Sequence, residues 1–496
     1  IGTYVKSRHQ AHDDCGDRTN DAVRVDGREL RCKVVGEGGN LGFTQLGRVE
    51  YALEGVGGAG GRINTDFIDN AGGVHTSDRE VNIKIPLNQL LRDGSLTRAQ
   101  RDPLLSACTA EITAAVLRDN AVQSLALSLL ERDAASQLGE HDELLRTLER
   151  DGQLQRAVEF LPDDEALKER RTKNRGLTRP ELAVLLSYSK LSLFDAVLHS
   201  ALPDDPGLRG ALLDYFPQPL VAAHPAAFEQ HQLRREIVST ILANAVVNRM
   251  GCAFTHRFAD DHGVARADVV KAYVIAHRIF DGDRYWLPIE ALDGQVASSV
   301  QLRLFGRAIG LLRHATSWVL NNGVTALPLE AAITRYAAGI AALSERLPAM
   351  LSPHYRQAWD HAQAAMLAEN VPEALARQLA NTLVLGSAPD IIEIATVADV
   401  PLDEAAEVYL LIGDQLGMLW LLSTIIATPA PGKWQALARS NLREDAYRLL
   451  RNISTRILRH AGTSAAERVA AWSHANADAL RFAVARLQDL QMLPAQ

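Results

Sequence analysis

The pattern of apolar and polar positions divides the chain near residue 95. Before it, apolar residues come in short runs broken by glycine: Arg31 to Val35, then Gly36-Glu37-Gly38-Gly39-Asn40-Leu41-Gly42, and later Asp66 to Asp69 ending at Asn70-Ala71-Gly72-Gly73. The two apolar runs are predicted as strands. A helix is predicted between them over Gln45 to Leu53, with Thr44 as N-cap. Gly55 to Gly61 reads as a glycine loop. Strand, glycine turn, helix and strand is the rhythm of a doubly wound sheet.

Beyond residue 95 the apolar period becomes helical and stays so. Helices are predicted over Leu96 to Arg118, Leu182 to His199, Leu233 to Met250, Arg266 to Phe280, Val300 to Asn321, Pro328 to Leu347, Leu402 to Ile426 and Trp434 to His460. Thr178-Arg179-Pro180-Glu181 is a capping box with proline in the first turn, so it opens the second of these. Proline-containing breaks fall at Leu202 to Pro206, Phe216 to Pro219 and Ala427 to Gly432, and soft boundaries are placed near 95, 205 and 325. The expected fold is therefore mainly α. A partial Rossmann-like α/β segment (1–94) precedes a long multi-helical region in three parts (95–205, 206–325 and 326–496).

Composition refines this picture. A chain of 496 residues, 47% hydrophobic and 23% charged, holds roughly three domains and can bury a large core. The net charge of −8 argues against a nucleic-acid partner. Of the 34 glycines, 15 fall within the first 75 residues, so backbone freedom is concentrated in the strand-like segment. Cys15, Cys32, Cys108 and Cys252 form no C-x-x-C pair and read as reduced, mostly buried thiols of a cytoplasmic protein. The longest apolar run, Gly417 to Ala427, is too short to span a bilayer, so no membrane partner is expected. No basic-then-apolar signal run opens the chain. It begins Ile1-Gly2-Thr3-Tyr4 without Met, as a piece of something longer would.

Several clusters could carry chemistry. Glycine after a strand lets backbone approach a ligand, and an asparagine amide both donates and accepts. Asn40 and Asn70, each in a glycine turn, are thus ligand candidates, although such turns are commonly only turns. His9, His12, Asp13, Asp14 and Cys15 resemble a metal-ligand cluster but read as solvated loop, and no metal is expected. The basic run Lys168, Arg170, Arg171, Lys173, Arg175 and Arg179 reads as a solvated helix end. Asn244 and Asn248, one turn apart, read as a buried polar network. His277, Arg278 and Asp281 read as capping and pairing around a helix end. Leu419-Trp420-Leu421-Leu422 reads as core.

The residues also carry a resemblance. Glu37-Gly38-Gly39-Asn40-Leu41-Gly42-Phe43-Thr44 and Asn70-Ala71-Gly72-Gly73-Val74-His75-Thr76-Ser77 are similar to E-G-A-N-x-P-T-T and N-A-G-G-V-T-V-S. Those motifs belong to the cofactor half of the glutamate dehydrogenase family. The departures point to its large bacterial NAD-dependent members, which carry regulatory domains, a catalytic core and a long helical tail. Leu177-Thr178-Arg179-Pro180-Glu181-Leu182-Ala183-Val184-Leu185 and Leu242-Ala243-Asn244-Ala245-Val246-Val247-Asn248-Arg249-Met250-Gly251 resemble that tail. Over essentially its full length, the chain looks like the end of the core plus the tail.

The resemblance implies NAD as cofactor and L-glutamate and 2-oxoglutarate as substrate and product. It implies that Asn40 and Asn70 face the nicotinamide end, with Gly38, Gly39, Ala71 and Gly72 around them. Ser77 would hold the substrate side-chain carboxylate. The Leu-Gly-Phe departure alters the backbone contacts near Gly42. Family chemistry also needs a lysine in a P-x-G-G-x-K context and an aspartate, and none of the eight lysines has such neighbours. The pyrophosphate-binding G-x-G-x-x-G after a first strand is missing too. The expectation is a fragment with no catalytic residue of its own, inactive alone, from a homo-oligomeric enzyme. The competing expectation is a non-catalytic helical scaffold, regulatory or oligomerisation module.

Overall fold

A computed structural model describes residues 2–430 and 432–491. Helix dominates, and the chain forms two compact units, Ile1–Lys271 and Ala272–Gln496. This division is coarser than the four regions expected from the pattern.

The first unit opens with four strands of two residues each. Strand β1 (Val5–Lys6) runs parallel to β2 (Val25–Asp26), and β3 (Val34–Val35) runs parallel to β4 (Arg62–Ile63). A single bridge joins Val5 to Phe43. The strands are parallel, as a doubly wound core requires, but among the described residues they form two separate pairs. Val5 and Ile63 are buried while Val25 and Val34 are exposed, so each two-residue pair buries a single apolar side chain, too little to extend a sheet.

Two local expectations are corrected. Asp66 to Asp69 is not a strand but a short helix, α2 (Asp66–Asp69), following extended Thr65. Asn70 to Gly73 is not a free glycine turn. Asn70 is the residue before helix α3 (Ala71–Arg92), whose first turn contains both glycines. The acids at Asp66 and Asp69 suit a helix N-terminus, and only Ile68 of the four α2 residues is buried. A run with one buried side chain carries no strand period.

Helix α1 (Gln45–Glu54) forms where expected, with the Thr44 hydroxyl accepting from Gly47 N at 2.9 Å. The glycine loop after it has a packing reason. Tyr51 is fully buried, and a Cβ at Gly61 would stand 2.0 Å from its ring. The loop closes over the ring, whose hydroxyl donates to Cys32 O at 2.6 Å.

The apolar stretch from Leu96 breaks at Cys108 into α4 (Arg98–Ala107) and α5 (Thr109–Asp133). The capping box at Thr178 opens a helix over Arg179–Leu198, with Thr178 N donating to Glu181 Oε2 at 2.7 Å. Leu182 through Leu186 are all buried there, so the first turns of this helix are buried on every face, as a central segment must be. It packs against the helix Arg234–Met250 and against α5. Asn248 is buried with its Oδ1 unpartnered among the described residues, so that oxygen joins no polar network.

The second unit is built of helices, including Ser298–Asn321, Leu329–Met350, Ala388–Ala398 and Lys433–Ile457. The helix expected over Leu402 to Ile426 is two, Leu402–Gln415 and Met418–Ala427, broken where Gly417 turns left-handed at φ 62°. That break lifts the apolar stripe partly out of the core. Leu422 is buried, whereas Leu419, Trp420 and Leu421 are only half-buried. His277 and Arg278 do pair around a helix end, with Asp283 and Glu330. No single helix among the described residues is long and apolar enough to cross a membrane.

Candidate cofactor-side site

The site begins with a buried charge. Strand β3 delivers Glu37 into the interior, where its carboxylate meets Arg48 of α1. Arg48 Nε donates to Glu37 Oε2 at 2.7 Å and Nη2 to Oε1 at 3.0 Å. Burial pushes the Glu37 carboxyl up, and the paired guanidinium opposes that shift. A bidentate pair of this kind fixes the strand end relative to α1.

The two aspartates of α2 then clamp the glycine turn. Glu37 N donates to Asp69 Oδ2 at 3.0 Å, and Leu41 N donates to Asp66 Oδ2 at 3.2 Å. Asp66 also stands 3.2 Å from Arg48, and Asp69 accepts from Asn64 Nδ2 at 2.6 Å. Between the clamps Leu41 is held at φ 66°, a left-handed conformation that costs a non-glycine residue energy. After it, Gly42 O accepts from Tyr4 N at 2.9 Å and Val5 N at 3.1 Å. The departing Leu-Gly-Phe segment is therefore tied to β1.

These clamps bring the two candidate asparagines together. Asn70 Nδ2 donates to Asn40 Oδ1 at 2.8 Å. Asn40 Nδ2 and Asn70 Oδ1 make no hydrogen bond among the described residues, so the pair offers one donor and one acceptor side by side. Gly38 is exposed, and a Cβ there would meet nothing within 4 Å. Neither packing nor positive φ demands glycine at that position. Ala71 is buried, Gly72 is half-buried and Gly39 lies half-exposed in the turn. Ser77 is exposed on α3, about two turns along the face that starts at Asn70. Its hydroxyl engages no group among the described residues.

Arg179, read from sequence as part of a solvated basic run, anchors this region instead. It is buried, with Nε donating to Asn64 Oδ1 at 2.5 Å and Nη1 to Ser128 Oγ at 3.0 Å and Glu131 Oε2 at 3.1 Å. Through Asn64 it reaches Asp69, and so the clamp on the glycine turn. Arg170 of the same run grips the Glu181 carboxylate at 2.5 and 2.7 Å. The run looked solvated because charge density alone does not reveal which guanidiniums have buried carboxylates to meet. The histidine-aspartate cluster is taken up by loop contacts: Asp14 accepts from Ala11 N at 2.7 Å, and His12 Nδ1 lies 3.0 Å from Arg24 Nη1.

One group escaped the sequence reading. Lys190 donates to Gln123 Oε1 at 3.1 Å, and burial pushes its amine down to about 7, with Asp119 opposing. Asp119 lies 3.8 Å from His75 and 3.1 Å from Arg79 on α3. Nothing in the local sequence around Lys190 signals this, because the burial comes from packing between helices distant in the chain.

Two family models match the chain. That for the bacterial NAD-glutamate dehydrogenase catalytic domain covers residues 1–130. That for the glutamate dehydrogenase C-terminal region covers residues 174–495, well over half the chain. The chain belongs to the glutamate dehydrogenase C-terminal family. The NAD-specific glutamate dehydrogenase of Pseudomonas aeruginosa is 44% identical over 92% of this chain, and that of Halomonas elongata 40% over 95%. That of Mycobacterium tuberculosis is 37% identical over 99% of this chain. The chain spans less than a third of each relative's length: 28%, 29% and 30% respectively. Residues 131–173 separate the two family regions, and Arg179 of the second bonds Asn64 and Ser128 of the first.

Proposed function

We propose that this chain is the cofactor-side end and helical tail of a longer NAD-dependent glutamate dehydrogenase, which oxidatively deaminates L-glutamate to 2-oxoglutarate and ammonium. The observation that carries the reading is the Asn70–Asn40 pair. Its unused donor and acceptor complement a primary carboxamide, the polar group of the nicotinamide end. Gly38, Gly39, Ala71 and Gly72 leave space and backbone beside that pair. When bound, NAD supplies the hydride acceptor. The residues of this chain orient it: the clamped turn holds Asn40, and the start of α3 holds Asn70. Ser77, on the same face of α3, donates to the substrate side-chain carboxylate.

The parallel strand pairs at the front belong, in this reading, to the closing part of a Rossmann-like core that the longer protein completes. The enzyme is cytoplasmic and homo-oligomeric, without membrane or nucleic-acid partners. The lysine and aspartate of family chemistry lie outside this chain.

Steady-state kinetics on the longer enzyme test the assignment. Asn70→Ala is expected to raise KM for NAD about tenfold or more, a loss of about 1.4 kcal/mol in binding. Ser77→Ala is expected to raise KM for glutamate while leaving NAD binding unchanged. Wild-type KM for NAD in Asn70→Ala and Asn40→Ala would overturn the cofactor role of the pair. An unchanged KM for glutamate in Ser77→Ala would overturn the serine's role.

A further inference from the structure

The second unit contains a concave site separate from everything above. A cavity of about 640 Å³, within the range of small-molecule sites, is lined by Arg335, Arg451, Arg456 and Arg459. Such a concentration of guanidiniums is unexpected in a chain of net charge −8. Carboxylates meet two of them. Arg335 pairs with Glu393 at 2.7 Å, and Arg451 with Asp390 at 3.0 Å, where it also donates to Asn322 at 2.8 Å. Glu393 is further occupied by the buried Tyr336 hydroxyl at 2.6 Å, and Asp390 by Trp318 Nε1 at 2.8 Å.

Arg456 and Arg459 are different. Both are exposed to the cavity side of the chain, and neither has an ion pair or hydrogen bond through its side chain among the described residues. Arg456 stands in the last turn of the Lys433–Ile457 helix and Arg459 just beyond its end, and both line the same cavity. Asn452 and Thr455 fall on the same helical face and also line the cavity. That face presents an amide, a hydroxyl and two guanidinium forks, with no carboxylate among them. The helix dipole explains a cation near this C-terminal turn. It does not explain a cavity in front of two unpaired arginines.

We propose that this cavity is a binding site for a small, multiply charged anion bearing phosphate or carboxylate groups. Arg456 and Arg459 grip the anionic groups, and Asn452 and Thr455 hydrogen-bond beside them. Arg335 and Arg451, paired with Glu393 (which also lines the cavity) and Asp390, form the charge-compensated wall beside them. Guanidinium forks match the oxygen pairs of both phosphate and carboxylate, and the concave lining lets both forks reach one ligand. The site is independent of the cofactor-side assignment.

Titration calorimetry on the full chain tests it, with inorganic pyrophosphate and tricarballylate as probes that separate the phosphate from the carboxylate source. Saturable binding of at least one probe is expected, weakening with added salt. The Arg456→Ala/Arg459→Ala double variant should lose at least tenfold in affinity. Arg346→Ala, which removes an exposed arginine paired with Asp403, should bind as wild type. Absence of saturable binding for both probes would overturn the proposal. So would equal affinity in wild type and the double variant, which would place the anion elsewhere.

Discussion

Single residues decide how the candidate site is held. Glu37 was visible in the sequence as part of a glycine motif, but its work is to meet Arg48 in the interior. Asp66 and Asp69 looked like the ends of a strand, yet their carboxylates clamp the turn that carries Asn40. Burial acts on single residues in a measurable way at His141. The ring is fully buried with both nitrogens unpartnered among the described residues, and burial pushes its pKa from 6.5 down to about 4. The unfolded chain therefore binds more protons between these values, so stability is full above pH 6.5 and falls as pH drops toward 4. A shift of this size corresponds to about 3 kcal/mol. Urea unfolding between pH 7 and 4 should show that loss in the wild type and a smaller one in His141→Leu. Equal pH slopes in the two proteins would refute this account of His141.

At the scale of elements, helix signals were legible and strand signals only in part: the Arg31 to Val35 run shrinks to β3, and Asp66 to Asp69 is helical. The capping box at Thr178 is local chemistry, so its three-residue spacing predicts the helix start directly. Its energetic weight is not local. Buried Glu181 serves both the cap and the half-buried guanidinium of Arg170. Glu181→Ala leaves that charge unpaired and is expected to cost about 3–5 kcal/mol in urea unfolding, with Glu181→Gln costing less because the cap survives. The glycine loop after α1 makes a second case. Its glycines read as flexibility, but Gly61 faces the Tyr51 ring. Gly61→Ala should lower stability by about 1–3 kcal/mol through overpacking, seen as a lower urea midpoint with an unchanged slope. A flexible loop with no packing role would tolerate the alanine. Helix breaks at Cys108 and Gly417 were hidden, because the apolar period runs on through both.

For the whole molecule, the sequence pattern predicted a helical protein with a strand-like front, and the structure is helical with only paired fragments of strand. The proposal that this chain is one part of a longer enzyme leads to an assay. The purified chain, folded and monodisperse, should produce no NADH from glutamate and NAD, while the longer enzyme containing it does. Glutamate-dependent NADH production by the chain alone would show that a catalytic base lies within it, and Lys190, with its amine near 7, would then be the first residue to replace.

What the sequence determined by itself is what rests on neighbours in the chain. Helix period, the Thr44 and Thr178 caps, and the two glycine motifs are set by residues within a few positions of one another. Tertiary structure decided what depends on distant partners. It set Asn70 against Asn40 and buried Arg179 on Asn64. It left Arg456 and Arg459 without carboxylates beside a cavity. A charge or an amide reads the same in sequence whether it meets water, a buried partner or an empty pocket. Only packing fixes which of these it faces, because the cost of burying a polar group depends on the partner it finds.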